Sequence, residues 1–219
     1  MAICGALETN QIADLNRAMS SCRLDTNQVL VEEGSARRRV FSLTAGMVRL
    51  SRTLADGRRQ ITGFLMPGDY LGLSDEDVYT QTAEAVVPSV LCSFSVEDMD
   101  QLMDQYGSLK DRLHLLTRRA LRHARDSQLI LGRLTPSEKI ASFLLLMSNR
   151  ATELGFSQSP VNLPMNRTDI ADYLGLTIET VSRTFTKLKT QGLIRLPESH
   201  SVEILDKSRL ARVAGQIGS

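Results

Sequence analysis

From Gly107 to Leu131 the small and apolar residues recur at intervals of three and four: Leu109, Leu113, Leu116, Ala120, Ala124, Ser127 and Leu131. That spacing puts them in one stripe along a continuous helix of about 35 Å, at ~1.5 Å per residue. Part of the stripe must pack on the helix's own domain. Ala120, Ala124 and Ser127 are small enough to let a second helix approach closely, so the reading adopted for the whole stripe is parallel pairing with a symmetry-related copy. Arg118, Arg122 and Arg125 fall off the stripe, where they stay solvated.

This helix divides the chain into two halves with different patterning. Before it, residues 1–20 are expected as a short helix with Leu7, Ile12, Leu15 and Met19 on one face. From about 24 to 94 the chain breaks into short β-like runs: Gln28 to Val31 before Glu33-Gly34, and Val40 to Leu43 before a turn at Ala45-Gly46. Met47 to Thr53 then pairs with Arg59 to Leu65 across Ala55-Asp56-Gly57, in which Asp-Gly is a hairpin signal. After Pro67-Gly68-Asp69 come two more strands, Ala83 to Val87 and Ser89 to Phe94. Many short, evenly spaced strands indicate a sandwich or jelly roll. Ser95 opens a short helix with acidic residues in its first turn.

Past the long helix the signals are helical caps. The hinge is placed at Gly132 to Thr135. Thr135-Pro136-Ser137-Glu138 has a capping Thr, a Pro at the first helical position and a Glu that completes a capping box. The helix it starts carries Ile140, Phe143, Leu144, Met147 and Ala151 on one face and ends near Gly155. Asn166 caps a short helix with Ile170, Ala171 and Leu174 inside; Gly175 and Leu176 follow, and Thr177 caps the next helix. A short helix, a glycine turn and a second helix form the helix-turn-helix plan. Val181, Phe185 and Leu188 pin the second helix to its neighbours, which leaves Glu179, Ser182, Arg183 and Thr186 facing outward. Ile178 shares the apolar side yet sits in the first turn, so either placement is open.

That outward set suits reading DNA bases. A guanidinium can donate to O6 and N7 of guanine, and a carboxylate can accept from the N4 amine of cytosine. Glu179, Ser182, Arg183 and Ile178 are therefore the candidate base readers. Thr177, Thr180 and Arg167 at helix N-termini, with Lys187 and Lys189, are the candidate phosphate contacts. Glu179 and Arg183 are also an i, i+4 pair, able to form a surface salt bridge or to brace one another. Leu193 to Leu196 and Ser201 to Ile204 flank Pro197-Glu198-Ser199-His200 as a wing, with His200 expected to be solvated at its tip.

Composition agrees with a reduced, cytoplasmic, globular protein. Hydrophobic content of 42% is too high for disorder, and no run is long enough for a membrane span. No signal-peptide pattern is visible at the start. A net charge of +1 does not by itself mark a nucleic-acid binder. Cys4, Cys22 and Cys92 are too scattered for a disulfide framework or a closed zinc site. No Gly-rich phosphate loop, metal cluster or activated nucleophile supports an enzyme.

The stretch from Ile170 to Arg183, Ile-Ala-Asp-Tyr-Leu-Gly-Leu-Thr-Ile-Glu-Thr-Val-Ser-Arg, resembles the recognition signature of the catabolite-activator / fumarate-nitrate-regulator superfamily of bacterial regulators. Gln60-Ile61-Thr62-Gly63-Phe64 with Pro67-Gly68-Asp69 resembles its fumarate-nitrate branch. The match runs nearly the full length. It implies an α+β chain with an N-terminal β-roll (a cupin-like jelly roll) in residues 1–107, a dimerisation helix and hinge in 108–134, and a winged helix-turn-helix in 135–219. It also implies a homodimer on double-stranded DNA, RNA polymerase as a partner and a half-site containing TTGA. In that half-site Arg183 reads the guanine, Glu179 the cytosine paired with it or its neighbour, and Ser182 a thymine.

Two ligand kits of the superfamily are missing. The cyclic-nucleotide branch uses a Gly-Glu pair and an Arg before a small-residue pair, whereas Gly72-Leu73-Ser74 has no Glu and Gln81-Thr82-Ala83 no Arg. A buried cyclic phosphate would lack charge partners. The oxygen-sensing branch holds an iron–sulfur cluster on four cysteines. Cys4 and Cys92 fall near two of those positions, Cys22 is out of register, and Cys92 reads as a buried strand thiol. Tyr70 and Tyr79 sit in no haem-ligand motif, and His114 and His123 fall on the long helix. The expectation is thus a cofactor-free activator resembling the FixK subgroup of micro-oxic and nitrogen-fixation regulators. The alternative is the same fold acting as a small-molecule, haem or redox sensor.

Overall fold

The structure, a computed structural model, describes residues 9–72 and 76–215. Cys4, Leu7, Leu73 and Ser74 therefore lie outside the described residues. The chain divides into two compact units, 1–123 and 124–219, with the break inside the long helix.

The first unit opens with α1 (Thr9–Ala18) and β1 (Ser20–Leu24), followed by β2 (Val29–Val31), β3 (Arg39–Thr53), β4 (Arg59–Leu65), β5 (Tyr70–Leu71) and β6 (Thr82–Ser95). These form one antiparallel sheet in the order β1-β6-β3-β4, with β2 also on β6 and β5 on β3. The Asp56-Gly57 hairpin forms as its sequence indicates, pairing Thr53 with Arg59.

The turn expected at Ala45-Gly46 is instead a bulge inside a single long strand, and the two strands expected around Pro88 are one strand as well. The register of β3 on β6 shifts repeatedly between Leu43 and Val48, opposite Ala85 to Leu91. Gly46, at φ +91°, lies where an added Cβ would sit 2.7 Å from the Ser89 Cα. A left-handed glycine facing a proline lets both strands bend without ending, because bulges tolerate the missing N–H of Pro88.

Burial alternates along the strands and separates two cores. Phe41, Leu43, Val48, Leu71, Ala83 and Leu91 fill the interior of the roll. Val40, Tyr70 and Phe94 face the other way and pack with Leu15, Met99 and Leu102. At the rim, Arg49 forms an ion pair with Glu84 and donates to Asn27 Oδ1 at 3.2 Å.

Ser95 caps α2 (Val96–Gln105), its hydroxyl accepting from Asp98 N at 3.0 Å. Then comes α3 (Gly107–Arg133). Here the sequence reading needs correction. Leu109, Leu113 and Leu116 are only 0%, 4% and 6% exposed and belong to the core of their own unit, so a pairing helix would find them already covered. Ala120, Ala124 and Leu131 are exposed, and Ser127 is half-buried.

In the second unit, α4 (Pro136–Glu153) begins as its capping box requires, with Thr135 N donating to Glu138 Oε2 at 2.6 Å. It is followed by β7 (Val161–Asn162), α5 (Arg167–Leu174), α6 (Ile178–Thr190), β8 (Ile194–Glu198), β9 (Ser201–Ile204) and α7 (Lys207–Val213). The wing is a three-stranded sheet in the order β7-β9-β8. Sequence patterning missed β7, too short to show a period, and it missed α7.

Candidate nucleic-acid interface

The recognition module is built by two caps and a left-handed turn. Asn166 Oδ1 accepts from Asp169 N at 2.8 Å and starts α5. Gly175, at φ +60°, ends it and reverses the chain. Thr177 Oγ1 accepts from Thr180 N at 3.2 Å and starts α6. Because both ends of α5 and the start of α6 are fixed within a few residues, the direction of α6 is set locally.

Packing fixes its rotation. Val181, Thr184, Phe185 and Leu188 are buried against the other helices, so Glu179, Ser182, Arg183 and Thr186 project outward together. Ile178, left open by periodicity, is 44% exposed and so stands on the outward side. Phe185 is nearly fully buried, and the Arg167 guanidinium lies 3.5 Å over its ring. That stacking holds the guanidinium at the start of α5 against the packed side of α6, where burial lowers the Arg167 pKa.

The sequence alone left Glu179 and Arg183 as a salt bridge or a braced pair. In the structure no ion pair joins them. The Glu179 carboxylate turns back to the helix start, accepting from its own backbone N–H and from the Thr177 hydroxyl, which holds it below the ordinary carboxylate pKa; the Arg183 charge is a smaller contribution. Arg183 is exposed and takes part in no hydrogen bond or ion pair among the described residues. Its five donors are available to a ligand.

The remaining candidates lie around this face. Thr180 is half-buried, its hydroxyl 3.0 Å from that of Thr177. Lys187 reaches Ser137 Oγ at 3.4 Å, tying the last turn of α6 to the start of α4, and Lys189 is exposed. His200 is on the wing surface, as expected, yet is anchored. Its Nδ1 lies 3.1 Å from the Leu163 carbonyl oxygen, and its own carbonyl accepts from Leu163 N at 2.7 Å. One contributor escaped the sequence reading. Buried Lys139 on α4 donates from Nζ to the Leu174 carbonyl at 2.9 Å, satisfying a free carbonyl at the end of α5. Its spacing within an apolar run was the available signal, but a lysine there reads as a solvated break in the stripe.

A β-roll followed by a long helix and a winged helix-turn-helix with an outward, uncommitted arginine defines a DNA-binding transcription regulator. Comparison with known proteins agrees. Residues 138–213 match the Crp-like helix-turn-helix domain and residues 22–106 the cyclic nucleotide-binding domain. The chain is 35% identical to the nitrogen fixation regulation protein FixK of Bradyrhizobium diazoefficiens, over 97% of this chain and 90% of that one. It is 37% identical to the transcriptional activatory protein AadR of Rhodopseudomonas palustris, over 98% and 89%. The structure of FixK2 from Bradyrhizobium japonicum superposes with a TM-score of 0.84 at 31% identity, covering 92% of this chain and 98% of that one. The chain belongs to the catabolite-activator / fumarate-nitrate-regulator superfamily, in the company of its FixK-type and fumarate-nitrate-type transcription activators.

Proposed function

We propose that this regulator binds, as a homodimer, a palindrome whose half-sites contain TTGA. The observation that carries the reading is the outward row Ile178, Glu179, Ser182 and Arg183 with an uncommitted guanidinium. Arg183 donates to guanine, Glu179 accepts from cytosine N4, and Ser182 and Ile178 meet the neighbouring thymine edge. Arg167, Thr177, Thr180, Lys187 and Lys189 serve the phosphates. RNA polymerase and a place in the cytoplasm belong to the same reading.

The residues we assign to the subunit seam differ from those of the original stripe. Thr117, Leu121, Ala124, Gln128 and Leu131 alternate by four and three residues, the spacing of a coiled-coil seam. All five are exposed, Leu121 at 52% and Leu131 at 39%. Ala120 and Ser127 flank this row, and their small size permits close approach; the Ser127 hydroxyl also bonds Tyr173.

The roll serves this function without a cyclic nucleotide. Ala83 is fully buried in an interior already filled with side chains, and Thr82 Oγ1 accepts from Glu33 N at 3.1 Å. An iron–sulfur cluster is equally unsupported: β1 and β6 point Cys22 and Cys92 to opposite faces of the sheet, one towards each core. Selection of bound sequences from a random DNA pool tests the reading. Recovery of TTGA half-sites about one helical turn apart, near ~34 Å, supports it. Recovery of single, unpaired sites refutes the dimer, and a different core sequence refutes the assigned readers.

A further inference from the structure

The first unit contains a cleft of about 420 Å³ that DNA recognition does not use, within the range of about 300–1,000 Å³ typical of small-molecule sites. It opens on the helix side of the sheet, between β3, β5, α2 and α3, whereas Ala83 of the cyclic-nucleotide pattern points into the roll interior.

Tyr70 marks the cleft as a binding site. Its side chain is part of the core and only 9% exposed, yet no described residue gives its hydroxyl a hydrogen bond. Every fully sealed polar side-chain atom among the described residues does have a partner, so this hydroxyl is not sealed, and Tyr70 lines the cleft. Burial pushes the phenol far above its ordinary pKa, which keeps it a neutral donor. Arg37 is the charge that acts on it most strongly. The Arg37 Nε donates to the Glu76 carbonyl at 2.7 Å and Nη1 only distantly to that of Gly72, at 3.4 Å. Its Nη2 takes no bond among the described residues.

A hydroxyl and a guanidinium that line the same cleft can together receive a carboxylate. Met99, Met103 and Leu113 supply apolar lining, alongside the polar His114 and Thr117, and thioethers adapt to irregular apolar ligands. Asp100 also lines the cleft and, after Arg37, is the next charge acting on the Tyr70 hydroxyl, so the site has room for no more than one further negative charge. We propose that this cleft binds a small monocarboxylate with an apolar tail, held by Tyr70 and Arg37 at its head and by the methionines along its tail. Because Leu113, His114 and Thr117 come from α3, the bound acid ties the start of that helix to the sheet.

Octanoate is the probe, titrated into the full chain by calorimetry, with octanamide and succinate as controls. Saturable one-to-one binding is expected, with both controls weaker by at least about tenfold. Tyr70→Phe is expected to weaken octanoate about fivefold and Arg37→Gln at least about tenfold. Circular dichroism and DNA affinity should be unchanged in both variants, which separates this site from the DNA-reading face. Absence of saturable octanoate binding overturns the proposal. So does equal affinity for octanamide, or octanoate binding that is indifferent to Arg37→Gln in a folded protein.

Discussion

Replacing Arg183 by alanine isolates the base-reading step, because the structure gives this side chain no other task. It is exposed, no partner among the described residues holds it, and Glu179 is bonded at the helix start. Its loss therefore leaves folding stability within about 0.5 kcal/mol, as for surface positions generally. On DNA the variant forfeits a bidentate contact of about 1–3 kcal/mol, a five- to 150-fold loss on a TTGA palindrome, and its preference at the guanine position flattens. Glu179→Ala should act separately, since the two side chains do not brace each other. A double-mutant cycle read by fluorescence anisotropy is expected to show coupling below about 0.5 kcal/mol. Salt dependence provides an internal check: a base contact leaves the slope of affinity against salt nearly unchanged, while Lys189→Ala, at a proposed phosphate contact, should reduce it by about 0.9. Arg183→Ala protein that binds the palindrome like wild type refutes the assignment. Coupling above about 1 kcal/mol refutes the independence of the pair.

Gly46→Ala should destabilise the first unit by about 2–5 kcal/mol, from left-handed backbone strain together with overpacking against Ser89. Gly57→Ala, at φ +84° with nothing within 4 Å, should incur only the strain, about 1–2 kcal/mol; equal losses in urea unfolding would contradict the bulge geometry. Leu121→Glu puts a charge into the proposed seam and should shift sedimentation towards monomer and weaken palindrome binding, whereas an unchanged dimer would place the seam elsewhere. The Glu138 and Glu179 carboxyls, both held below their ordinary pKa by hydrogen bonds at helix starts, stabilise the folded state fully above the unfolded value near 4.5. That contribution is lost as pH falls through the lower folded values. Carbon-detected NMR titration should find both midpoints below 4.5, and a midpoint at or above it would contradict the capping geometry.

What the sequence made legible was whatever is decided within a few residues. Thr135, Asn166 and Thr177 cap their helices where their side chains sit next to free N–H groups, Gly175 supplies a left-handed turn, and Asp56-Gly57 makes a hairpin; each choice is local, so each could be read before any fold was known. The outward face of α6 was legible for a related reason: Val181, Phe185 and Leu188 fix its rotation by spacing alone. What failed depended on partners distant in the chain. A glycine marks a turn or a bulge equally well, and only the approach of Ser89 to Gly46 decides for the bulge. The stripe on α3 was real, but period alone cannot say which partner covers it. Leu109, Leu113 and Leu116 pack with Leu15 and Phe94, far away in the sequence, and the seam we propose is displaced around the helix as a consequence. The same limit hid Lys139, whose role exists only because the Leu174 carbonyl ends a helix 35 positions later. For this fold, then, the residues we propose to read DNA are those whose placement is locally determined. The residues we propose to join subunits or receive a ligand, Leu121 on an exposed helix face and Tyr70 with its unpartnered hydroxyl, are defined by what the rest of the chain leaves unsatisfied.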